Sequence, residues 1–296
     1  MITIGEISAL AMSLCWAVTS IILTSQSHKM SAVSLNAWRS VFAAIFLLAA
    51  LLVLGRTQGL KEVPLHSVAY LLGSVVVGLG LGDILYIKSL ALIGASRALP
   101  ITGAYPFFTM MAAFLFFHEP VTVFTFLAAT LIISGVCLLA LPERGKKANP
   151  DLQGRVNLKG VLFALSCALC WTVSSSFLKP ALENIDLVAA NFLRTFALAL
   201  LLLLASGPRK TISELKKVGG TSIALVALTG VLGFGLGSFL FLVAMQKIGM
   251  ARTVILSATS PLFGLPLSIL FLKERATYRK VAGTLLSTLG IWLLIS

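Results

Sequence analysis

Stretches of about 20 consecutive apolar residues, the length of α-helix that crosses a bilayer core, follow one another along almost the whole chain. Lipid offers no hydrogen bonds to a main chain, so such stretches are satisfied as helices packed into a bundle. Apolar windows, broken at charged or Pro/Gly-rich turns, predict helices near 4–24, 33–54, 67–89, 95–117, 121–141, 158–178, 187–206, 220–243, 250–272 and 277–295. Composition closes off the soluble alternative: with 58% hydrophobic and 11% charged residues, the 296-residue chain carries too little polar surface to cover a globule in water. The expected fold class is an all-α membrane protein of ten transmembrane helices.

A net charge of +13 would suggest nucleic acid in a soluble protein. Loop cations here have a nearer partner in the anionic leaflet that fixes orientation, so no nucleic acid is expected. The first apolar stretch lacks a basic n-region and includes Trp16, and is expected to be a permanent helix rather than a cleaved signal. Cys15, Cys137, Cys167 and Cys170 fall in apolar stretches, which predicts no disulfide framework. Cys167 and Cys170 share a helical face, but His28, His66 and His118 fall in loops, so neither a metal nor a cofactor is expected.

The longest polar stretch, Pro142 to Asn157, divides the chain near its middle. Its two sides match without a gap at an offset of 155 residues: Cys15-Trp16 meets Cys170-Trp171, Asn36-x-x-Arg39 meets Asn191-x-x-Arg194, Gly80-x-Gly82 meets Gly235-x-Gly237, Pro106 meets Pro261 and Glu119 meets Glu274. Apolar bias can align leucines by chance, but not Trp, Asn, Arg, Pro and Glu in one register. Residues 1–141 and 158–296 are therefore expected to be two copies of a five-helix unit, with 142–157 as linker. Five is an odd number, so the second copy enters the membrane in the opposite sense, and the copies are inverted repeats. Two similar halves facing opposite ways can exchange conformations and expose a midplane site to each side in turn.

The end of each copy is distinctive. The first reads Ala91-Leu92, Pro106-Phe107, Phe116-Phe117-His118-Glu119-Pro120 and Gly135-Val136; the second reads Ala244, Pro261-Leu262, Phe271-Leu272-Lys273-Glu274-Arg275 and Gly290-Ile291. In these residues, and over nearly its whole length, the chain resembles the EamA-type transporters of the drug/metabolite transporter superfamily. That resemblance implies a central cavity lined largely by the third, fourth, eighth and ninth helices, export of metabolites or amino acids, and both termini in the cytoplasm. Loop charge implies the reverse orientation. Fourteen loop cations, including Arg144, Lys146, Lys147, Arg209, Lys210, Lys216 and Lys217, lie on one side, against Arg56, Lys61, Lys179 and Lys247 on the other. By the positive-inside rule this leaves both termini outside.

Asp83 is the one acid well inside a predicted crossing. A charge at that depth costs at least about 2.5 kcal/mol on insertion scales, so it is expected to face a wet cavity or a partner. One reading makes it a substrate or proton-coupling group, with Tyr86 one turn further along; the other makes it a member of a structural ion pair or polar network. Its counterpart is Ser238, so the shared scaffold does not demand an acid. Pro106 and Pro261 interrupt the fourth and ninth helices, each freeing a carbonyl. Polar residues precede them, Thr102 and Tyr105 in one copy and Ser257 and Ser260 in the other. Interrupted helices at matching positions mark a carrier's binding site, which is expected between these two. Trp16 and Trp171 are expected either to stack on substrate or to fill space between the copies. Asn36 and Arg39, with Asn191 and Arg194, are expected to form structural polar clusters, with contact to an anionic substrate as the alternative. Gly78 and Gly82, with Gly233 and Gly237, have the GxxxG spacing of close helix packing, which could also serve as a sliding seam.

These features point to a secondary transporter in the cell membrane, a multi-pass exporter of small metabolites such as amino acids, with protons as the candidate coupling ion and homo-oligomers open. The alternative is a flippase for a lipid-linked sugar or similar amphiphile. Gly80-Leu81-Gly82-Asp83 matches the GxGD of intramembrane aspartyl proteases, but that chemistry needs a second intramembrane carboxylate. No enzyme is expected. The sequence contains no nucleotide-binding loop and no ring of acids, which argues against ATP-driven pumping and against a channel.

Overall fold

The computed structural model describes residues 2–26, 29–93, 101–140, 158–260, 262–263 and 278–295, and the regular structure among them is helical. In chain order the elements are α1 (Ile4–Gln26), α2 (Ala32–Val53), α3 (Gln58–Glu62), α4 (Leu65–Ser74), a π-helical segment π1 (Val75–Gly82), α5 (Asp83–Ile93), α6 (Tyr105–Phe117), α7 (Val123–Ala140), α8 (Leu158–Ala181), α9 (Leu187–Ser206), α10 (Pro208–Lys217), α11 (Gly220–Thr229), π2 (Gly230–Gly237), α12 (Ser238–Ser257) and α13 (Tyr278–Ile295). Five segments are long and apolar enough to cross a membrane: Val33–Val53, Leu65–Tyr86, Leu158–Ala181, Leu187–Ser206 and Gly220–Ser257. The chain is a multi-pass, all-α membrane protein.

Helix starts follow local chemistry, and the same chemistry recurs in both copies. The Ser31 side chain accepts from the Ser34 N–H at the start of α2, and Asp186, at the equivalent position, accepts from Val188 and Ala189 at the start of α9. The third and eighth helices depart from uniform α-helix: each opens into an eight-residue π-helical stretch, at 75–82 and 230–237, in one repeat register. Both stretches are glycine-rich. π-helical turns are rare and concentrate at functional sites. The eighth and ninth predicted helices are separated within α12 by Gly249, at φ 79° and ψ 172°, a left-handed conformation that glycine adopts without the Cβ penalty. The short helices α3 and α10 occupy stretches predicted as loops. The linker 142–157, Pro261 and Glu274 lie outside the described residues.

Two compact units interleave the sequence copies: one comprises Met1–Ile2, Val77–Ser176 and Met250–Ser296, the other Thr3–Val76 and Phe177–Gly249. Within the first, α7 and α13 approach closely, and a Cβ on Gly290 would fall 2.8 Å from the Ala128 carbonyl oxygen and 3.0 Å from the Ile132 nitrogen. Within the second, Met30, Leu35 and Val226 form a buried cluster onto which Trp38, Phe42 and Leu215 pack.

Close contacts recur with their partners exchanged between copies. Gly82 lies against Trp171, and Gly237 against Trp16; Gly78 lies against Ser174, and Gly233 against Thr19; Gly135 lies against Ser287, and Gly290 against Ile132. Each second pair is the first shifted by 155 positions with the copies swapped. Equivalent positions of the two copies thus make equivalent close contacts.

Candidate binding site at the broken helices

Asp83 is the first residue after π1 and opens α5. Gly82, immediately before it, has no side chain, and a Cβ there would lie 3.1 Å from Cδ1 of Trp171. The indole is thereby admitted beside the carboxylate, and its N–H donates to Asp83 Oδ1 at 3.2 Å. Two more rings surround the same indole: Tyr86, with centroids 5.6 Å apart, and Tyr105, also at 5.6 Å and nearly perpendicular at 77°. The Tyr105 hydroxyl shares a hydrogen bond with the Ser257 hydroxyl. Next to it, the Thr172 and Thr109 hydroxyls meet at 3.2 Å, and Thr102, ahead of the turn that precedes α6, is buried. Asp83, Tyr86, Tyr105, Trp171 and Ser257, five residues proposed from sequence for the cavity, thus belong to one chain of contacts inside one compact unit.

The backbone here is broken in the same way in both copies. A helical turn at 101–102 gives way to a turn at 103–104 before α6 begins at Tyr105. Pro106 is buried in the first turn of α6, where a missing N–H costs nothing. The Ala104 N–H donates to the Ile101 carbonyl at 3.2 Å and the Phe107 N–H to the Ala104 carbonyl at 3.0 Å. In the second copy Thr259 donates to Leu256 at 3.1 Å and Leu262 to Thr259 at 2.8 Å, the same pattern at the same register. Ser260 donates back to the Ser257 carbonyl at 2.9 Å. These short i to i−3 turns leave the preceding carbonyls outside the α-helical ladder, which is tolerated at membrane depth where protein or a cavity receives them.

Trp16 and Ser238, also proposed from sequence, belong to the other unit. Trp16 donates its indole N–H to the Gly233 carbonyl in π2 at 3.3 Å and packs on Phe241. Ser238 accepts from Arg194 at 3.2 Å, and Arg194 also donates to Ser74 at the end of α4. Asn191 donates to the Phe234 and Gly235 carbonyls at 3.1 and 2.9 Å, bracing π2, while Arg39 bonds Asn36 and lies 4.2 Å over the Phe234 ring. Both Asn–Arg pairs therefore brace side chains and carbonyls that belong to both copies of the repeat. Lys88 lies 5.8 Å over the Phe163 ring and is exposed.

Sequence reasoning did not single out Thr109, Thr172 or the π-helical segments. Glycine density was the available signal for the latter. Chemically, a carboxylate has about four acceptor positions, of which the Trp171 indole takes one. Aromatic faces beside a carboxylate suit a cation, because ring quadrupole and negative charge attract the same group.

The sequence profile of the EamA-like transporter family matches residues 3–141 and again residues 158–296. The chain belongs to the EamA-like transporter family. An uncharacterized transporter of Archaeoglobus fulgidus is 25% identical over 288 residues, covering 97% of this chain and 96% of that protein. A solved crystal structure of a protein 18% identical in sequence superposes with a TM-score of 0.77, covering 98% of this chain and 95% of the other, which shows a shared fold. This EamA-family chain is accordingly a transporter homologue rather than an enzyme.

Proposed function

We propose that this EamA-family chain is a secondary transporter of ten helices in two inverted five-helix repeats. It moves small amine-bearing metabolites, amino acids among them, by alternating access. The reading is carried by one observation: an intramembrane carboxylate, Asp83, accepts a hydrogen bond from Trp171, whose indole is itself flanked by Tyr86 and Tyr105, at the point where π1 gives way to α5. The broken backbone before Pro106, repeated before position 261, supports a site bracketed by interrupted helices. Contacts exchanged between copies support the two-fold relation that inverted repeats require. An ammonium group would sit against Asp83 and the aromatic faces, with the Tyr105 and Ser257 hydroxyl pair exchanging its mutual hydrogen bond for one to a second polar end. A carboxylate binds either the ammonium or a proton, which couples the two gradients in opposite directions.

Proteoliposomes with an imposed pH gradient test this with pooled labelled amino acids, amines, sugars and organic acids. Gradient-dependent accumulation of the amine-bearing class, abolished by Asp83→Asn, is the expected result. Accumulation that is unchanged in Asp83→Asn removes the coupling role. Movement of a fluorescent lipid-linked sugar, with no solute transported, replaces the reading with a flippase.

A further inference from the structure

We infer that α10 is a docking site for the phosphate headgroup of an anionic phospholipid. The helix joins the membrane-spanning segments Leu187–Ser206 and Gly220–Ser257, so it lies at the boundary between lipid and water. Its inner face is anchored. Thr211 is buried, its carbonyl accepts from the Trp38 indole N–H at 3.1 Å, and Leu215 packs on the Met30, Leu35 and Val226 cluster. Glu214, the one acid of the helix, is turned the same way, accepting from the Ser31 N–H at 2.9 Å and its hydroxyl at 2.8 Å.

The outer face is left to the cations. Arg209, Ile212, Ser213, Lys216 and Lys217 are exposed and line one open depression of about 470 Å³. Three positive groups and a hydroxyl around one hollow match the oxygens of a phosphodiester, and Ile212, 42% exposed, offers an apolar contact to the glycerol and upper acyl chain. The repeat supplies an internal control. The equivalent positions in the first copy are Leu54, Thr57, Gln58, Lys61 and Glu62, where Lys61 and Glu62 cancel, against three uncancelled positive charges in the second. Arg56, the remaining cation of that loop, is paired with Asp186 at 3.2 Å. The scaffold therefore folds this loop without the basic cluster, and the cluster answers to something outside the fold.

Native mass spectrometry of the full chain in detergent, exposed to equal amounts of dioleoyl-phosphatidylglycerol and dioleoyl-phosphatidylcholine, tests the assignment. The wild-type chain is expected to retain the anionic lipid at least about tenfold over the zwitterionic one. The combined variant Arg209→Gln, Lys216→Gln and Lys217→Gln is expected to lose that preference at an unchanged melting temperature, because all three side chains are exposed. Lys61→Gln is expected to keep it. Survival of the preference in the combined variant, or its absence from the wild-type chain, overturns the inference. Displacement of the lipid by millimolar inorganic phosphate overturns the lipid assignment in favour of a free anion. Should the combined variant melt early, Lys216→Gln alone carries the test, with a partial loss expected and no loss contradicting it.

Discussion

Glu119 follows α6 immediately after His118, whose φ of 52° turns the chain out of the helix. Its two carboxylate oxygens accept from the main-chain N–H groups of Met250, at 2.8 Å, and Ala251, at 3.0 Å. These are the first amides after the Gly249 break, and both residues are buried. A helix N-terminus presents unpaired N–H groups and partial positive charge, so a carboxylate there both caps and compensates. Hydrogen bonds to a charged group contribute about 1.5–3 kcal/mol each. Two that share one carboxylate, and so do not add in full, place Glu119→Ala at about 2–3 kcal/mol of local opening free energy. At about 1.36 kcal/mol per tenfold, amide exchange should rise roughly 30- to 160-fold. Glu119→Gln keeps an acceptor and loses the charge, for about 1 kcal/mol and roughly fivefold. Hydrogen–deuterium exchange of the peptide covering 250–257, with the α9 peptide as internal reference, measures both. Exchange within about threefold of wild type in Glu119→Ala would refute the capping argument.

Three further outcomes follow from the packing and the loops. Gly290→Ala places a Cβ against main-chain atoms of Ala128 and Ile132 that cannot rotate away, so an overpacking cost of about 1–3 kcal/mol exceeds the roughly 1 kcal/mol gain in helix propensity, and detergent melting should fall. Gly220→Ala, with nothing within 4 Å, should leave melting unchanged or slightly raised. Burial works to raise the pKa of Glu214, but hydrogen bonds from the Ser31 main chain and hydroxyl and from Ser34, with the charge of Lys210, leave it below its ordinary 4.5. A lowered carboxylate pKa contributes stability that is full above the unfolded value and is lost as pH falls through the folded one. Melting temperature should therefore drop on acidification below about pH 4.5, with a shallower drop in Glu214→Gln.

What was legible in the sequence is what hydropathy and register encode. Apolar windows found the long spans because lipid forces each to be a continuous helix, and the offset of 155 residues paired Trp16 with Trp171 and Gly82 with Gly237, but it carried no sign that Trp171 lies on Gly82 and Trp16 on Gly237. The π-helical segments were not legible, because over eight residues of Val, Leu and Gly the apolar pattern is the same for a wide turn as for a normal one. Helix α10 escaped for the opposite reason: PRKTISELKK is too polar for any apolar window, and its amphipathic face emerges once Leu215 meets Met30 and Val226. The Glu119 cap joins residues 131 apart in sequence, a distance at which local pattern carries no information. Asp83 stood out because charge is expensive in lipid, whereas Thr109 and Thr172 did not, because hydroxyls are common in membrane helices and can bond their own backbone, as Thr172 does with Ala168 at 3.0 Å.

The central claim is that the cluster of Asp83, Trp171, Tyr105 and Ser257 is a transport site reached alternately from both sides of the membrane. Its most direct test is Ser257→Cys in a chain whose four native cysteines are replaced by Ala. The variant would be reconstituted in oriented proteoliposomes and treated with a membrane-impermeant maleimide from either side. The account predicts modification from both sides, slowed by the transported amine. Modification from one side alone, whatever solute is supplied, would contradict it.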